Sequence, residues 1–514
     1  MNRIRTFGRI QRSLAMAAAG MFVAALATAV GAGPAGAATS ANLIVDPSGN
    51  DVAQCSPTGL DAMTVPGWVV RNGSAGVVCY GAAGGYPTHS TTGASGTDKG
   101  FFEGGGTGDS QLEQDVDVSA VASQIDGGSV PFTLSGWLGG YASQNDRVAL
   151  KATFRNGSGA AIGTATQLGP VTASDRGNNT EFLHKTGTGK LPAGTRTVEV
   201  DLLFTYAAGD SIDGYAHDIS LTVGANLPTP ALVAPASQVP GFDHVFLVYM
   251  ENENYENIIG NTAQAPYING LRSQATTLSA SYATTHPSDP NYVAFGAGAL
   301  YGLTGNSILT TTIDAPHVGN RVEDAGKSWK AYVENQSGNC DTTAHGHYYP
   351  DDVPFWYFKN MKTNPSYCQA HWQPLPQMVS DLKSAATTPN FVWFAADGCD
   401  DMEDCGIAAG DTWLKNTLPA IFNSPAWTQQ RSLLILTFDE GATKAYGPNY
   451  PNRVPTLLLG STGTVKSNFT SSQRTDQYGL LRMTDRALGL KPLTANDSYA
   501  PTVNDAWATV PGTP

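Results

Sequence analysis

Two acidic pairs stand at the ends of segments built for a dry sheet. Val245, Phe246, Leu247, Val248, Tyr249 and Met250 form an unbroken apolar run, and Glu251 and Asn252 follow with no turn residue between. Leu433 to Phe438 repeat the arrangement and run into Asp439 and Glu440. Oxygen donors from Glu, Asn and Asp suit a hard or borderline divalent cation. Carboxylates massed at one sheet edge repel one another unless a cation or protons neutralise them. Either pair alone is explained as well by a helix cap or a surface ion pair. Both together predict a metal site made of Glu251, Asn252, Asp439 and Glu440.

A third stretch, "TTHPSDPNYVAFGAG" at 284–298, supplies a hydroxyl. A strand expected at 278–283 leads into a proline-rich turn, and Pro290 suits the first turn of a helix. Ser288 then falls just before a helix N-terminus, where free N–H groups favour an incoming phosphate. A serine in that place often serves only as an N-cap, and taken alone capping is the better reading. As a nucleophile it needs a base or a metal to take its proton. No G-x-S-x-G elbow surrounds any serine, and no G-x-x-x-x-G-K-[ST] loop occurs; neither an α/β-hydrolase nor a nucleotide cofactor is indicated.

The elements that must position these residues follow from the hydrophobic pattern. From Phe242 onward, short apolar runs ("HVFLVYM", "TTLSASYA", "KSWKAYVE", "NFVWFAA", "SLLILTF") alternate with helical stretches such as "APYINGLRSQA" and "GDTWLKNTLPAIFN". That alternation predicts a three-layer α/β sandwich with a mainly parallel sheet. Ligands of such sheets sit beyond the carboxyl ends of the strands, where both acidic pairs lie. Residues 41–223 read with period two instead: Val148, Leu150, Ala152 and Phe154 share one face, as do Val198, Val200, Leu202, Phe204 and Tyr206, and Ile219, Leu221 and Val223. This predicts an all-β, antiparallel sandwich. Between the two, residues 224–241 carry Pro228, Pro230, Pro235 and Pro240 and read as a stiff, extended linker.

At 514 residues the chain is long enough for two domains. Its first segment has Arg3, Arg5, Arg9 and Arg12, an apolar run from about Leu14 to Val30, and "AGA" at 35–37. This is the layout of a secretory signal peptide with cleavage before Ala38, so the expected organisation is 1–37 signal, 38–223 sandwich, 224–241 linker and 242–510 catalytic domain, in a secreted protein. Loss of the four arginines makes the formal charge of −14 still more negative, which disfavours a nucleic-acid partner. The six cysteines fit an oxidising compartment. Pairing within each half and short spacing predict Cys55–Cys79, Cys340–Cys368 and Cys399–Cys405. No C-x-x-C pair supports a zinc cluster.

Several spaced motifs carry a resemblance: "VFLVYMENENYENIIG", "HPSDPNYVAFGAG", "GKSWKAYVENQSGNC", "PFWYF", "AAGDTWLKNTLPAIFNSPAW", "LLILTFDEG" and "LLRMTDRALGL". In this order, over about Phe242 to Leu490, they resemble the exported phosphoesterase family that groups phospholipases C with acid phosphatases. The resemblance implies an alkaline-phosphatase-like fold and a divalent metal on Glu251, Asn252, Asp439 and Glu440. It also implies Ser288 as nucleophile with a phosphoseryl intermediate, and Asn291 orienting phosphate. The substrate implied is a phosphate mono- or diester, a phospholipid or a small phosphomonoester. The first half loosely resembles the jelly-roll, carbohydrate-binding-like modules of exported hydrolases. Trp68, Trp137 and Tyr141 there are either sugar platforms or packing residues, and a polysaccharide partner follows only from the former.

The chain also departs from the family. Asp352, Glu403 and Gln477 stand where typical members have histidines, in "DVPF", "DDMEDC" and "QYGLLR". Carboxylates repel phosphate, so the departure has three readings. Asp352 and Glu403 form a second cation site; or His286, or His345 and His347 of "AHGHYYP", take over the acid role; or activity is lost. In the last case the chain is a surface- or glycan-binding protein that keeps only the fold.

Overall fold

The computed structural model describes residues 39–508 apart from Leu60, Ala62, 443–451 and Thr462. The expected signal peptide lies outside the described residues. The period-two half forms two five-stranded antiparallel sheets. One is ordered Val69–Asn72, Ser110–Asp117, Thr197–Thr205, Arg147–Arg155, Thr166–Leu168; the other Gly76–Cys79, Gly100–Glu103, Gly214–Val223, Pro131–Gly140, Glu181–Lys190. Val148, Leu150, Ala152, Phe154, Val198, Val200, Leu202 and Phe204 from the first share one core with Leu134, Leu138, Ile219, Leu221 and Val223 from the second. Alternate side chains point to one face of a strand, which is why the sequence period was visible. Trp68 belongs to that core and donates its indole N–H to the Asp46 carbonyl, while Trp137 and Tyr141 are half-buried.

The second half is built on a sheet of eight described strands, here β1 (His244–Met250), β2 (Thr276–Leu278), β3 (Trp329–Val333), β4 (Trp372–Pro374), β5 (Phe391–Ala395), β6 (Ser432–Phe438), β7 (Thr456–Gly460) and β8 (Phe469–Ser471). Their order is β4-β3-β5-β1-β6-β7-β2-β8. All pairings are parallel except those of β7, which runs against both neighbours. Val245, Leu247 and Tyr249 of β1 pack on one face against helices α1 (Ser288–Ala297) and α3 (Gln477–Leu488). Phe246, Val248 and Met250 pack on the other against Pro266–Leu271 and α2 (Ile407–Phe422). Burial of both faces by helices gives three layers and explains the unbroken apolar run.

The expected strand at 278–283 is split. Thr276–Leu278 joins the large sheet, whereas Ser281–Tyr282 pairs with Thr475–Asp476 in a separate two-stranded ribbon. The break turns the chain toward the carboxyl ends of β1 and β6. Residues 224–241 have no helix or strand. They do not hang free: Arg482 and Asn504 donate to the carbonyls of Pro235 and Ala236, and Leu227 and Val239 are buried. The three disulfides are Cys55–Cys79, Cys340–Cys368 and Cys399–Cys405, the pairing that spacing predicts.

Candidate active site

Adjacent parallel strands β1 and β6 end in register, and their acidic pairs meet. The Asn252 N–H donates to Asp439 Oδ1 at 2.9 Å, and the Asp439 N–H to the Met250 carbonyl at 3.0 Å. Asn252 takes a left-handed backbone (φ 50°), which asparagine tolerates, and this turns the chain off the strand. Its amide donates to Glu251 Oε2 at 2.9 Å and to Glu403 Oε1 at 3.1 Å.

Ser288 opens α1, two residues before Pro290. It is not the cap: Pro287 occupies that position, and the first-turn N–H of Asp289 is held instead by Asn306 Oδ1 at 3.1 Å. Ser288 Oγ instead donates to Glu251 Oε2 at 3.2 Å. The hydroxyl thus faces the carboxylates at the amino end of a ten-residue helix, whose dipole favours negative charge. His286 sits against Glu440, with Nδ1 2.7 Å from Oε2.

Asn291 has a different place from the phosphate-orienting one expected. It is fully buried. Its Oδ1 accepts from the N–H groups of Thr284 and Thr285, and its Nδ2 donates to the carbonyls of Thr285 and Pro287 and to Glu440 Oε2. These bonds commit its amide to the loop that carries Ser288 and to Glu440.

Asp352 and Glu403 line the same cavity of about 280 Å³ as Ser288 and Glu251. Asp352 is buried and Glu403 exposed. Gln477 is buried beside them in sequence role only: it donates to the Asp439 carbonyl at 2.7 Å and accepts from the Thr284 hydroxyl, so it braces the site from below. His345 and His347 are both exposed. His345 turns to Asp341. His347 lies 2.7 Å from Asp404, which lines the cavity, and this hydrogen bond raises its pKa.

Two participants escaped the sequence reading. Asp401 follows β5 and its carbonyl accepts the Glu251 N–H at 3.0 Å. Burial, then the Glu403 and Asp439 charges, push its carboxyl up to about 8. The signal existed, since "NFVWFAA" also runs into acids. Tyr292 on α1 donates its hydroxyl to Glu251 Oε1.

Electrostatics favour protons or a cation here. Burial first, then Asp439 and Asp401, hold the Glu251 carboxyl well above the usual range. Asp439 is raised by burial and by Glu440, and Asp352 by burial and by Asp401. Asp439 Oδ2, Asp401 Oδ2 and Asp352 Oδ2 are buried with no hydrogen-bond partner. Orphaned carboxylate oxygens of this kind fit a hard divalent cation. The oxygens do not converge on a closed sphere: the described trios of ligand atoms within 4.8 Å of one another lie elsewhere.

The other half of the chain reaches this site. Thr285, next to His286, donates its hydroxyl to Asp61 Oδ1 at 2.9 Å, and Asp61 is itself held by Ser56 at 2.6 Å. Asp61→Ala leaves the buried Thr285 hydroxyl only a long 3.4 Å contact with the His286 carbonyl, which costs about 1–3 kcal/mol. The expected result is a lower melting temperature and a kcat reduced by about tenfold through the loosened loop, read from steady-state kinetics and thermal unfolding.

A buried serine at a helix start thus faces carboxylates beyond the ends of parallel strands, and the comparisons assign the chain to hydrolases acting on phosphoric esters. The chain belongs to the Phosphoesterase family, whose model matches residues 261–491. It is 33% identical over 282 residues to a phosphatidylinositol-3-phosphatase of Mycobacterium tuberculosis, covering 54% of this chain and 87% of that one. It is 25% identical over 228 residues to a probable acid phosphatase of Kluyveromyces lactis, covering 43% of this chain and 51% of the relative. Among solved structures, an alkaline phosphatase superfamily protein from Vibrio parahaemolyticus is similar at 10% identity and a TM-score of 0.35, over 50% of this chain and 69% of that one.

Proposed function

We propose that the protein is a secreted, metal-dependent phosphomonoesterase that works through a phosphoserine at Ser288. One observation carries the reading: Ser288 Oγ forgoes capping and donates to Glu251 Oε2 at 3.2 Å. Relatives named phosphatidylinositol-3-phosphatase and acid phosphatase support the monoester class. Glu251, Asp439 and Glu440, with Asn252, would hold the divalent cation. When bound, it supplies the positive charge that favours an alkoxide and offsets phosphate.

The chain's own residues do the rest. In its ionised form Glu251, the acceptor of the Ser288 hydrogen bond, receives the Ser288 proton. Ser288 Oγ bonds to phosphorus as the ester oxygen leaves in line, and the positive amino end of α1 stabilises the equatorial oxygens. Water then attacks the phosphoserine and releases phosphate. Asn291 and Gln477 keep the loop and Asp439 in place. The paired antiparallel sheets are the accessory module, with a polysaccharide as the proposed ligand.

Asp352 answers the missing histidines. Burial and the Asp401 charge favour its protonated carboxyl, which repels phosphate less and is suited to protonating the leaving oxygen. The second reading is a cation on Asp352 and Glu403, favoured by the orphaned Asp352 Oδ2. Asp352→Asn separates them. The acid role predicts unchanged metal content and kcat down by about 10²-fold on alkyl phosphates, with little change on p-nitrophenyl phosphate. Loss of a bound ion assigns the pair to a second cation. The function itself is tested by hydrolysis of p-nitrophenyl phosphate against p-nitrophenylphosphorylcholine, with and without chelator. Monoester turnover that chelator stops is expected; diester-only or chelator-insensitive turnover contradicts the reading.

A further inference from the structure

We propose a second metal site, for a zinc-class divalent ion, in the antiparallel half of the chain, formed by His217 Nδ1, Asp98 and Asp218. One ligand atom from each lies within 4.8 Å of the others. The site is independent of the phosphoesterase reading.

Each residue has one polar atom tied to a neighbour and a second polar atom left over. His217 Nε2 is 2.8 Å from the Gly93 carbonyl, and a carbonyl can only accept, so the proton is on Nε2. In the neutral ring Nδ1 then presents a lone pair, and it lies 3.3 Å from Asp218 Oδ2, which is also an acceptor. The ring is 1% exposed and its Nδ1 has no hydrogen-bond partner. Asp98 Oδ1 accepts from Asn50 at 2.6 Å, while its Oδ2 is buried without a partner. Asp218 Oδ1 accepts from Ser48 at 3.1 Å. A histidine whose far nitrogen is tied to a backbone carbonyl, beside hydrogen-bonded carboxylates, is the usual surround of a bound metal.

The backbone is shaped for this juxtaposition. Neighbouring residues of a strand normally point to opposite faces, but the pairing register of Gly214–Val223 shifts between His217 and Ser220, and Asp218 is left-handed at φ 51°. Such a bulge re-aims a side chain and lets consecutive residues share one site. Trp137 stacks parallel to the His217 ring and Phe182 meets its edge, fixing the ring plane. One nitrogen with carboxylate oxygens favours zinc over calcium or magnesium. The exposed flank of Asp218 leaves room for a water ligand and for entry.

The test is Zn²⁺ binding to the metal-stripped full chain by equilibrium dialysis and elemental analysis. Wild type is expected to take up one ion more than His217→Gln or Asp98→Asn, both with phosphatase turnover unchanged. Asn50→Ala, which touches no ion, is expected to bind that ion about 10- to 100-fold more weakly. Nitrogen NMR of labelled histidine is expected to show Nδ1 without a proton in the zinc-loaded protein. Equal zinc content in wild type and both variants, saturation by Ca²⁺ in place of Zn²⁺, or a protonated Nδ1 at saturating zinc overturns the proposal. The last result would make the pair an imidazolium–carboxylate bridge.

Discussion

Ser288→Ala is expected to lower kcat/KM for a phosphate monoester by on the order of 10⁴-fold or more, the scale at which loss of a serine nucleophile acts. The fold should survive. Ser288 is nearly buried, but it makes no cap bond, and alanine suits the first turn of α1. Cation content should also be kept, because the carboxylates remain. The measurement is turnover of p-nitrophenyl phosphate beside thermal unfolding and elemental analysis of the same preparation. Full activity in a folded, metal-loaded Ser288→Ala protein would remove the serine from the chemistry.

The second large effect concerns Asp439. Asp439→Asn preserves an acceptor for the Asn252 N–H but replaces the orphaned Oδ2 with an amide. Turnover is expected to fall by on the order of 10³-fold, with weaker cation binding, since a carboxylate proposed to hold the cation is lost. Stability of the metal-free protein should move the other way. Asp439 is fully buried and its folded pKa stands well above the ordinary 3.8, raised by burial and by Glu440. Between those two values the folded state binds more protons than the unfolded one, so stability falls as pH rises through the window. The metal-free variant should lose less stability over that rise than wild type. Urea unfolding at a series of pH values, with chelator present, checks it; parallel curves for the two proteins would show that Asp439 carries no such penalty.

How far the site was legible depends on the range of the interactions that make it. Glu251, Asn252, Asp439 and Glu440 could be read because strands covered on both faces announce themselves, and acids at their ends break the pattern. Register did the rest: His244 pairs with Ser432 and Met250 with Phe438, so the two ends coincide. Asp401 obeys the same grammar, but acids crowd the segment from Asp397 to Asp404, and only the fold-back of that loop onto Glu251 selects one of them. The capping role of Ser288 was a sound local inference. It fails because Pro287 takes the cap position and a carboxylate 37 residues away offers a better acceptor.

Asn291 and Asp61 mark the limit. The motif around Asn291 suggested contact with phosphate, but five hydrogen bonds bind its amide to the loop and Glu440. Asp61 braces Thr285 from 224 residues away, across two halves that differ in period and fold class, and nothing local could reveal it. Ile219, Leu221 and Val223 were readable by alternation, whereas the bulge at His217–Asp218 breaks alternation and hides the pair from a period-two reading.

The central claim is that phosphate passes through Ser288. The direct measurement is acid quenching of the enzyme during turnover of a radiolabelled monoester, followed by peptide mapping. The account predicts acid-stable label on the peptide containing Ser288, absent from Ser288→Ala. Label on a histidine or carboxylate peptide, or unlabelled protein throughout turnover, would contradict it.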